Sequence, residues 1–208
     1  MHRLLRPSLD AGGPSATLEP TVTAADRTRD TRTQVRVTVE GRGGANVATG
    51  VSVLDHLLGV LARYASFDVA LEVAPGDAEQ EVHAAGRAFG KALAAPLRSD
   101  GVRGHGSAVV PSAEALAHVA LEASEQPLLV SNVDLSGARL GGMATDIVAA
   151  FLREFVEGAS LTLHVRLIDG TDTHHVLEAI FKALGVALAQ ACRPRRRKEE
   201  ADGETDSR

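Results

Sequence analysis

Apolar and polar positions along this chain follow two different periods. Segments 34–40 (QVRVTVE) and 67–73 (FDVALEV) place apolar residues at every second position, which is typical of half-buried β-strands. Segments 55–64 and 79–93 instead repeat apolar residues every three or four positions, as amphipathic helices do. The pattern predicts strands and helices that follow in the order strand, strand, helix, strand, helix.

The same order recurs in the second half of the chain at a fixed spacing. The hexapeptide FGKALA, which begins at Phe89, matches LGVALA, which begins at Leu184, at four of six positions and an offset of 95 residues. At this offset the strand 67–73 falls on 162–168, where TLHVRLI also alternates. The repeat predicts an internal duplication of one α+β unit.

The duplication divides the chain into two similar halves between two tails. We expect an α+β fold in which each half is a small mixed sheet with paired helices, the first half spanning 26–110 and the second 111–192. Residues 1–25 carry Pro and Gly without a sustained period, and 193–208 are rich in charge. Both segments are therefore predicted to be flexible tails, because neither can offset its ordering entropy by burial.

Composition narrows the class of protein. The 208 residues carry 27 acidic and 22 basic side chains, a net charge of -5, so the chain lacks the basic surplus of a nucleic-acid-binding domain. The single cysteine, Cys192, cannot form an internal disulfide. No uninterrupted apolar run approaches the roughly 20 residues that span a bilayer. We expect a soluble cytoplasmic protein with no nucleic-acid or membrane partner.

One segment, GTDTHHVLEAIFK, concentrates side chains that bind metals. If Thr173 caps a helix that starts there, His174 and Glu178 lie on one face one turn apart, and His175 points about 100° around the axis. This helix start could present a His–Glu pair to one metal ion and a single imidazole to another. The alternative is a helix N-terminus with two exposed histidines and a glutamate that favours the helix dipole.

The 95-residue offset adds a second helix start of the same kind. It places Glu79, Gln80 and His83 at the corresponding positions, so a carboxylate and an imidazole recur at i and i+4 in exchanged order. His56 and His164 add imidazoles near the ends of corresponding elements. Each of these two could be a satisfied core histidine, but together with the HHxxE segment they favour metal binding.

Three longer segments carry a resemblance to a known family. GTDTHHVLEAIFKALGVALAQA, TGVSVLDHLLGVLARYASFDV and GGMATDIVAAFLREFVEGASLTLHV are similar to the imidazoleglycerol-phosphate dehydratase family of histidine biosynthesis, and the likeness runs from about Asp26 to Ala191. It implies a ribosomal protein S5 domain 2-like fold in each half, and trimers that can assemble into a shell of 24 subunits. It also implies two manganese ions between neighbouring subunits, and removal of water from imidazole glycerol phosphate to give imidazole acetol phosphate.

The metal ligands that the resemblance implies come from both halves of the chain. They are His56, His164, His174, His175 and Glu178, joined by the exchanged pair Glu79 and His83. We expect one ion to be held by His56, His174 and Glu178, and the other by Glu79, His83, His164 and His175. The site of His56, His174 and Glu178, whose shell Gln80 or water would complete, is expected to bind manganese more weakly, because a neutral amide oxygen is a poorer ligand than an imidazole.

The resemblance also implies the residues that handle the substrate, a small imidazole-containing phosphate ester. Glu178 and Asp30, the latter in an Asp-Thr pair that matches a Glu-Thr of the family, are implied to move protons. Lys182 and Glu114 are implied to contact the substrate, and we expect the same of Arg103, which is adjacent to the position of a family arginine.

The chain departs from the family pattern around the substrate phosphate. Gln126 and Gly104 stand where the family has two phosphate-binding arginines, and the basic run 193–198 stands in place of a C-terminal phosphate loop. Each lost charge-assisted contact weakens binding by roughly 1.5–3 kcal/mol. Three functions therefore stay open: a lyase with a divergent phosphate pocket, a non-catalytic paralogue with a structural or regulatory role, and an enzyme that acts on another azole compound without a phosphate.

Overall fold

A computed structural model of the chain describes residues 33–133, 139–140, 143–144 and 146–195. The strands are β1 (Thr33–Thr38), β2 (Ala45–Ala48), β3 (Asp68–Val73), β4 (His105–Ser112), β5 (Ala115–Ala123), β6 (Leu128–Ser131), β7 (Arg139–Leu140), β8 (Met143–Ala144) and β9 (Leu161–Asp169). The helices are α1 (Ser52–Ala65), α2 (Ala78–Arg98), α3 (Asp146–Ala159) and α4 (Thr173–Cys192).

The two main sheets repeat one arrangement of strands. In the first sheet, of order β1-β3-β2, the central strand β3 pairs antiparallel with β1 and parallel with β2. In the second sheet, of order β4-β5-β9-β6, the strand β9 pairs antiparallel with β5 and parallel with β6. The second sheet adds β4 as an edge strand, and β7 and β8 form a separate pair. This repetition confirms the predicted α+β fold of two similar halves.

The strand β4 lies across the point where the sequence analysis divides the halves. It runs from His105 to Ser112 and pairs along its whole length with β5, so it belongs to the second sheet. The division expected between residues 110 and 111 therefore falls inside β4. The hairpin turn that joins β4 to β5 follows at residues 113–114. The predicted tails 1–25 and 193–208 lie outside the described residues, except for 193–195.

The helices pair across the two halves. α2 packs on α3 and α1 packs on α4, and glycines lie at both crossings. A Cβ atom added to Gly90 would lie 2.4 Å from the carbonyl oxygen of Phe155, and one added to Gly185 would lie 2.6 Å from that of Leu61. These two glycines are the pair related by the 95-residue offset. The repeated hexapeptide therefore marks a helix crossing at which the backbones touch.

Substituting Gly185 with alanine is expected to destabilise the fold despite the better helix propensity of alanine. The added methyl group overlaps the α1 backbone, and overpacking of this kind costs about 1–3 kcal/mol. Gly59→Ala is the matched control, because a Cβ atom there meets only Ala45 Cβ at 3.9 Å, and it should be neutral or stabilising by about 0.5–1 kcal/mol. Urea unfolding of both variants measures the two effects. Equal stabilities would contradict the close crossing.

The core lies between the helices and one face of each sheet. All five phenylalanines (Phe67, Phe89, Phe151, Phe155 and Phe181) are buried there. α4 is long and apolar enough to cross a membrane by length and composition alone, but 61% of its most apolar window is buried inside the fold. This burial is that of a core helix, with its polar N-terminus at the surface.

Candidate functional site

The N-terminus of α4 is fixed by a side-chain cap. The carboxylate of Asp172 accepts hydrogen bonds from the backbone N–H groups of His174 at 2.9 Å and His175 at 3.1 Å, so the helix begins at Thr173 and its cap is Asp172, one residue before the expected cap Thr173. One turn later, Glu178 Oε1 lies 3.3 Å from His174 Nε2. The local sequence alone therefore places these two candidate metal ligands on one face.

The third member of this group comes from the other half of the chain. Because α1 packs on α4, His56 Nε2 lies 3.1 Å from Glu178 Oε1, and the His56 and His174 rings stack with centroids 5.7 Å apart. One ligand atom from each of His56, His174 and Glu178 lies within 4.8 Å of the others. Within the part of the chain that the structure describes, no other three His, Cys, Asp or Glu residues converge in this way.

The other carboxylate oxygen of Glu178 is held by two residues outside the histidine group. Ser112 Oγ donates a hydrogen bond to Glu178 Oε2 at 2.8 Å, and Lys182 Nζ lies 3.1 Å from the same oxygen. Lys182 also donates to Ser112 Oγ at 2.8 Å. The side chain of Lys182 is only 16% exposed, so in this structure its ammonium group binds Glu178 and Ser112.

These contacts fix the protonation state of Glu178. The hydrogen bond from His56 has the largest effect, followed by those from Ser112 and Lys182, and together they outweigh burial and lower the pKa of Glu178 from 4.5 to about 2. Glu178 is therefore ionised throughout the physiological pH range, which suits a metal ligand or a charge partner.

The low pKa predicts how the metal-free chain responds to acid. Unfolded Glu178 takes up a proton near pH 4.5, whereas folded Glu178 does so only near pH 2, so its contribution to stability is present above pH 4.5 and is lost as the pH falls towards 2. This contribution should be on the order of 1 kcal/mol, because solvent screens the partly exposed group. Urea unfolding in chelator should show that the parent's advantage over Glu178→Gln shrinks across this range. A constant difference would contradict the lowered pKa.

His175 points away from this group and binds a different carboxylate. Its Nδ1 lies 2.5 Å from Glu114 Oε2, and Glu114 Oε1 accepts from the backbone N–H of Asp172 at 3.1 Å. The pKa of Glu114 is lowered, first by its own backbone N–H and then by those of Asp172 and the His175 ring. Because a carboxylate can only accept, Nδ1 carries the proton and Nε2 keeps its lone pair. Glu114, predicted to contact substrate, is thus the partner that orients His175.

The corresponding start of α2 is organised differently. His83 Nδ1 lies 3.0 Å from Glu154 Oε1 on α3, Arg87 binds the other oxygen of Glu154, and Glu79 is 3.9 Å from His83 Nε2. Gln80 is exposed. The hydrogen bonds from His83 and Arg87 outweigh burial and lower the pKa of Glu154.

One chain therefore does not assemble the expected second metal site. The expectation placed Glu79, His83, His164 and His175 around one ion. α2 packs on α3 while α4 packs on α1, so the two helix starts belong to different helix pairs. His164 lies on β9 beside Ala120 of β5 and Val130 of β6. Asp30 lies outside the described residues.

Arg103 lies far from His56 and His174 along the second sheet. Arg103 precedes β4, and Ser112, the partner of Glu178, is the last residue of that strand. Seven residue steps at about 3.3 Å each separate the two ends of this strand by roughly 23 Å. Next to Arg103, Gly104 has a φ of 70°, a left-handed conformation in which an arginine would be strained.

Comparison with known proteins decides which family these features belong to. Residues 49–188 match the family model described as imidazoleglycerol-phosphate dehydratase. The chain belongs to this family. It is 43% identical to the imidazoleglycerol-phosphate dehydratase of Syntrophobacter fumaroxidans over 80% of this chain and 86% of that protein. It is 38% identical to that of Acetivibrio thermocellus over 80% of this chain and 88% of that protein.

Solved dehydratase structures share the fold. The crystal structure of imidazoleglycerol-phosphate dehydratase from Staphylococcus aureus superimposes with a TM-score of 0.74 at 30% identity, covering 81% of this chain and 97% of that one. The dehydratase from Pyrococcus furiosus, solved in complex with (S)-C348, gives 0.69 at 26% identity, covering 83% and 96%. These results confirm the predicted resemblance, and they place the chain in a family of hydro-lyases.

Two residues of this candidate site were not predicted from the sequence. Ser112 holds Glu178 and Glu154 holds His83, and in each pair the two partners are far apart in the chain. Neither residue has a spacing to its partner that a helical or strand period would mark. Both contacts exist because β4 packs on α4 and α2 packs on α3.

Proposed function

We propose that this chain is a metal-dependent dehydratase that converts imidazole glycerol phosphate to imidazole acetol phosphate in cytoplasmic histidine biosynthesis, with a divergent phosphate pocket. The observation that carries the proposal is the convergence of His56, His174 and Glu178 in a member of this family. The names of the relatives support the reaction, and the histidine group supplies the chemistry that it needs.

The side chains of this group fit a divalent transition metal. Two imidazole nitrogens and one ionised carboxylate oxygen form a mixed nitrogen and oxygen donor set, which suits Mn²⁺. A bound Mn²⁺ would supply positive charge that stabilises the electron-rich imidazole ring of the substrate while the neighbouring carbon loses its proton. A second manganese site would use Glu79, His83, His164 and His175, with the residues drawn from neighbouring subunits.

The residues around the histidines hold the carboxylate in position. Ser112 and Lys182 bind Oε2 of Glu178 and leave Oε1 directed at both imidazoles. The low pKa of Glu178 makes it a weak proton acceptor, which favours the ligand role over the proton-transfer role predicted for it. Asp30 keeps its predicted role in proton transfer. Glu114 keeps the proton of His175 on Nδ1, so that Nε2 can bind a metal or accept a proton.

The distance between the two groups of predicted site residues supports a site shared between subunits. Arg103 and the Glu178 group lie at opposite ends of β4, roughly 23 Å apart. An imidazole glycerol phosphate molecule is much shorter than this, so one molecule cannot contact both groups of the same chain. We therefore propose that subunits associate, as trimers and as a shell of 24, so that Arg103 of one subunit meets the histidines of another.

Turnover of imidazole glycerol phosphate in the presence of manganese tests the proposal. The expected result is formation of imidazole acetol phosphate that stops in chelator and returns when manganese is restored. Binding of manganese without turnover would favour the non-catalytic paralogue. The exchanged residues on α2 and the absent phosphate arginines support that alternative. Turnover of dephosphorylated imidazole glycerol in preference to the ester would instead favour an enzyme for azoles without a phosphate.

A further inference from the structure

A carboxylate from another helix holds the ring of His83, one of the residues proposed for the second metal ion. Oε1 of Glu154, on α3, lies 3.0 Å from His83 Nδ1. Arg87, one turn after His83 on α2, binds the other oxygen, with Nε at 2.8 Å and Nη2 at 2.7 Å from Glu154 Oε2. The side chain of Glu154 is only 15% exposed. The two oxygens of this carboxylate are therefore each engaged by a different residue of α2.

Glycines at the crossing of α2 and α3 set the position of Glu154. A Cβ atom added to Gly86 would lie 2.9 Å from Glu154 Cβ, and one added to Gly158 would lie 2.5 Å from the carbonyl oxygen of Arg87. The two helix backbones are thus in close contact on both sides of the carboxylate. Its position is fixed by the packing of the helices, as a preorganised site requires.

The hydrogen bond to Glu154 fixes which nitrogen of His83 carries a proton. An ionised carboxylate can only accept, so Nδ1 is the donor and the neutral ring keeps its lone pair on Nε2. Within the part of the chain that the structure describes, Nε2 forms no hydrogen bond, and Glu79 Oε1 lies 3.9 Å from it. Two bonds of about 2.1 Å to one ion can span this separation. Nε2 and the Glu79 carboxylate can therefore serve one ion together.

His175, at the start of α4, is held in the same way. Its Nδ1 lies 2.5 Å from Oε2 of Glu114, which belongs to the turn between β4 and β5. Two imidazoles proposed for one ion are thus each bound at Nδ1 by a carboxylate from another element, which leaves Nε2 for a ligand. His56 and His174 differ, because each directs Nε2 at Glu178. Ring orientation therefore separates the two groups of histidines independently of the sequence pattern.

We propose that Glu154 is a positioning residue that makes His83 a metal ligand through Nε2, together with Glu79. A carboxylate that binds the far nitrogen of a ligating histidine fixes its tautomer and raises its basicity. Glu154 acts through His83 and does not itself contact the ion. The inference deepens the proposed function and rests on its metal dependence.

Manganese titration of the whole chain, followed by the electron paramagnetic resonance signal of the free ion, tests this role. Glu154→Gln should weaken one class of bound manganese about 10–100-fold. Arg87 engages the amide oxygen, so the NH2 group donates to His83 Nδ1 and moves the ring proton to Nε2, which then cannot bind a metal. The double variant Glu79→Ala, His83→Ala removes the ligands on α2 and identifies this class of manganese by its loss.

Arg87→Met is the matched control. It breaks the ion pair between α2 and α3 but leaves His83 its carboxylate, so manganese affinity should stay within about threefold of the parent. The combination Glu154→Gln, Arg87→Met frees the amide to turn its oxygen towards Nδ1. It should regain most of the affinity lost in Glu154→Gln, although it keeps fewer contacts between the helices. Urea unfolding measures the stability of each variant.

A purely structural role predicts the opposite order. If manganese affinity follows stability, with the combined variant weakest, the proposal is overturned. Equal affinity in Glu154→Gln and the parent would also overturn it, and so would a parent that binds no more manganese than Glu79→Ala, His83→Ala. None of these measurements needs turnover. If the parent binds manganese as expected but converts no imidazole glycerol phosphate, the proposed reaction fails and the role of Glu154 stands.

Discussion

Replacing Glu178 with glutamine should remove most of the activity and most of the bound manganese while the chain stays folded. The substitution keeps the shape of the side chain but replaces the ionised oxygen that faces His56 and His174 with a neutral amide. Neutral oxygens bind divalent transition metals less well than carboxylates, and a lost ligand also misplaces the charge that assists proton removal. We expect kcat/KM to fall about a thousandfold or more.

Substituting Ser112, which contacts Glu178, should lower manganese affinity or activity only in part. A general loss of stability would not produce such an intermediate effect. Ser112→Ala leaves all three proposed ligands in place and removes the hydrogen bond to Glu178 Oε2 together with the one that Ser112 Oγ accepts from Lys182, so manganese affinity or activity should fall about 10–100-fold. Glu157→Gln, at an exposed glutamate of α3, is the matched control and should leave both unchanged. Elemental analysis, steady-state rates and urea unfolding measure the three properties. Full manganese content in Glu178→Gln would contradict its assignment as a ligand.

The parts of the site that the sequence predicts are those set by local geometry. The Asp172 cap fixes where α4 begins, and from there the helical repeat alone places His174 and Glu178 together. The same offset reasoning finds the Glu79 and His83 pair on α2. A helical period acts within a few residues, and a repeat is found by comparing two stretches of the sequence, so both can be identified without a structure.

The parts that escape prediction depend on which elements pack together. Glu154 binds His83 because α2 crosses α3, and no spacing in the sequence joins these two residues. The repeated glycines Gly90 and Gly185 are the feature of the sequence that reflects this packing, since both allow helix backbones to touch. The hexapeptide match identified a duplication, but it did not show that the close helix pairs join one half to the other.

Backbone conformation also limits how the phosphate pocket could be restored. Gly104 stands where the family resemblance implies an arginine, yet its φ of 70° disfavours any residue with a side chain. At position 104 the sequence shows only that a positive charge is missing. The structure adds that the backbone turn there suits glycine. Arg103 and Arg195 supply positive charge beside this turn without occupying the glycine position.

A site shared between subunits should allow two defective variants to repair each other. His174→Ala damages the histidine group, and the double variant Arg103→Gln, Arg195→Gln removes two of the three arginines that border a polar cavity beside the start of β4, at the other end of this strand. If each catalytic site joins the histidines of one subunit to the arginines of another, random assembly of the two chains leaves about a quarter of the sites undamaged. Co-expression with two different affinity tags and purification on both isolates the mixed assemblies.

The expected result is a kcat/KM for the mixed assemblies well above the average of the two parent variants, approaching about a quarter of the unsubstituted value. Separately purified variants that are mixed after assembly are the control and should give only the average. Light scattering should find a mass above the 21.7 kDa of one chain, because a monomer cannot share sites. If the kcat/KM of the mixed assemblies does not exceed the average of the two variants, the two groups of residues belong to different sites. Arg103 and Arg195 would then take no part in the reaction, since roughly 23 Å of β4 separates them from His56 and His174 of their own chain.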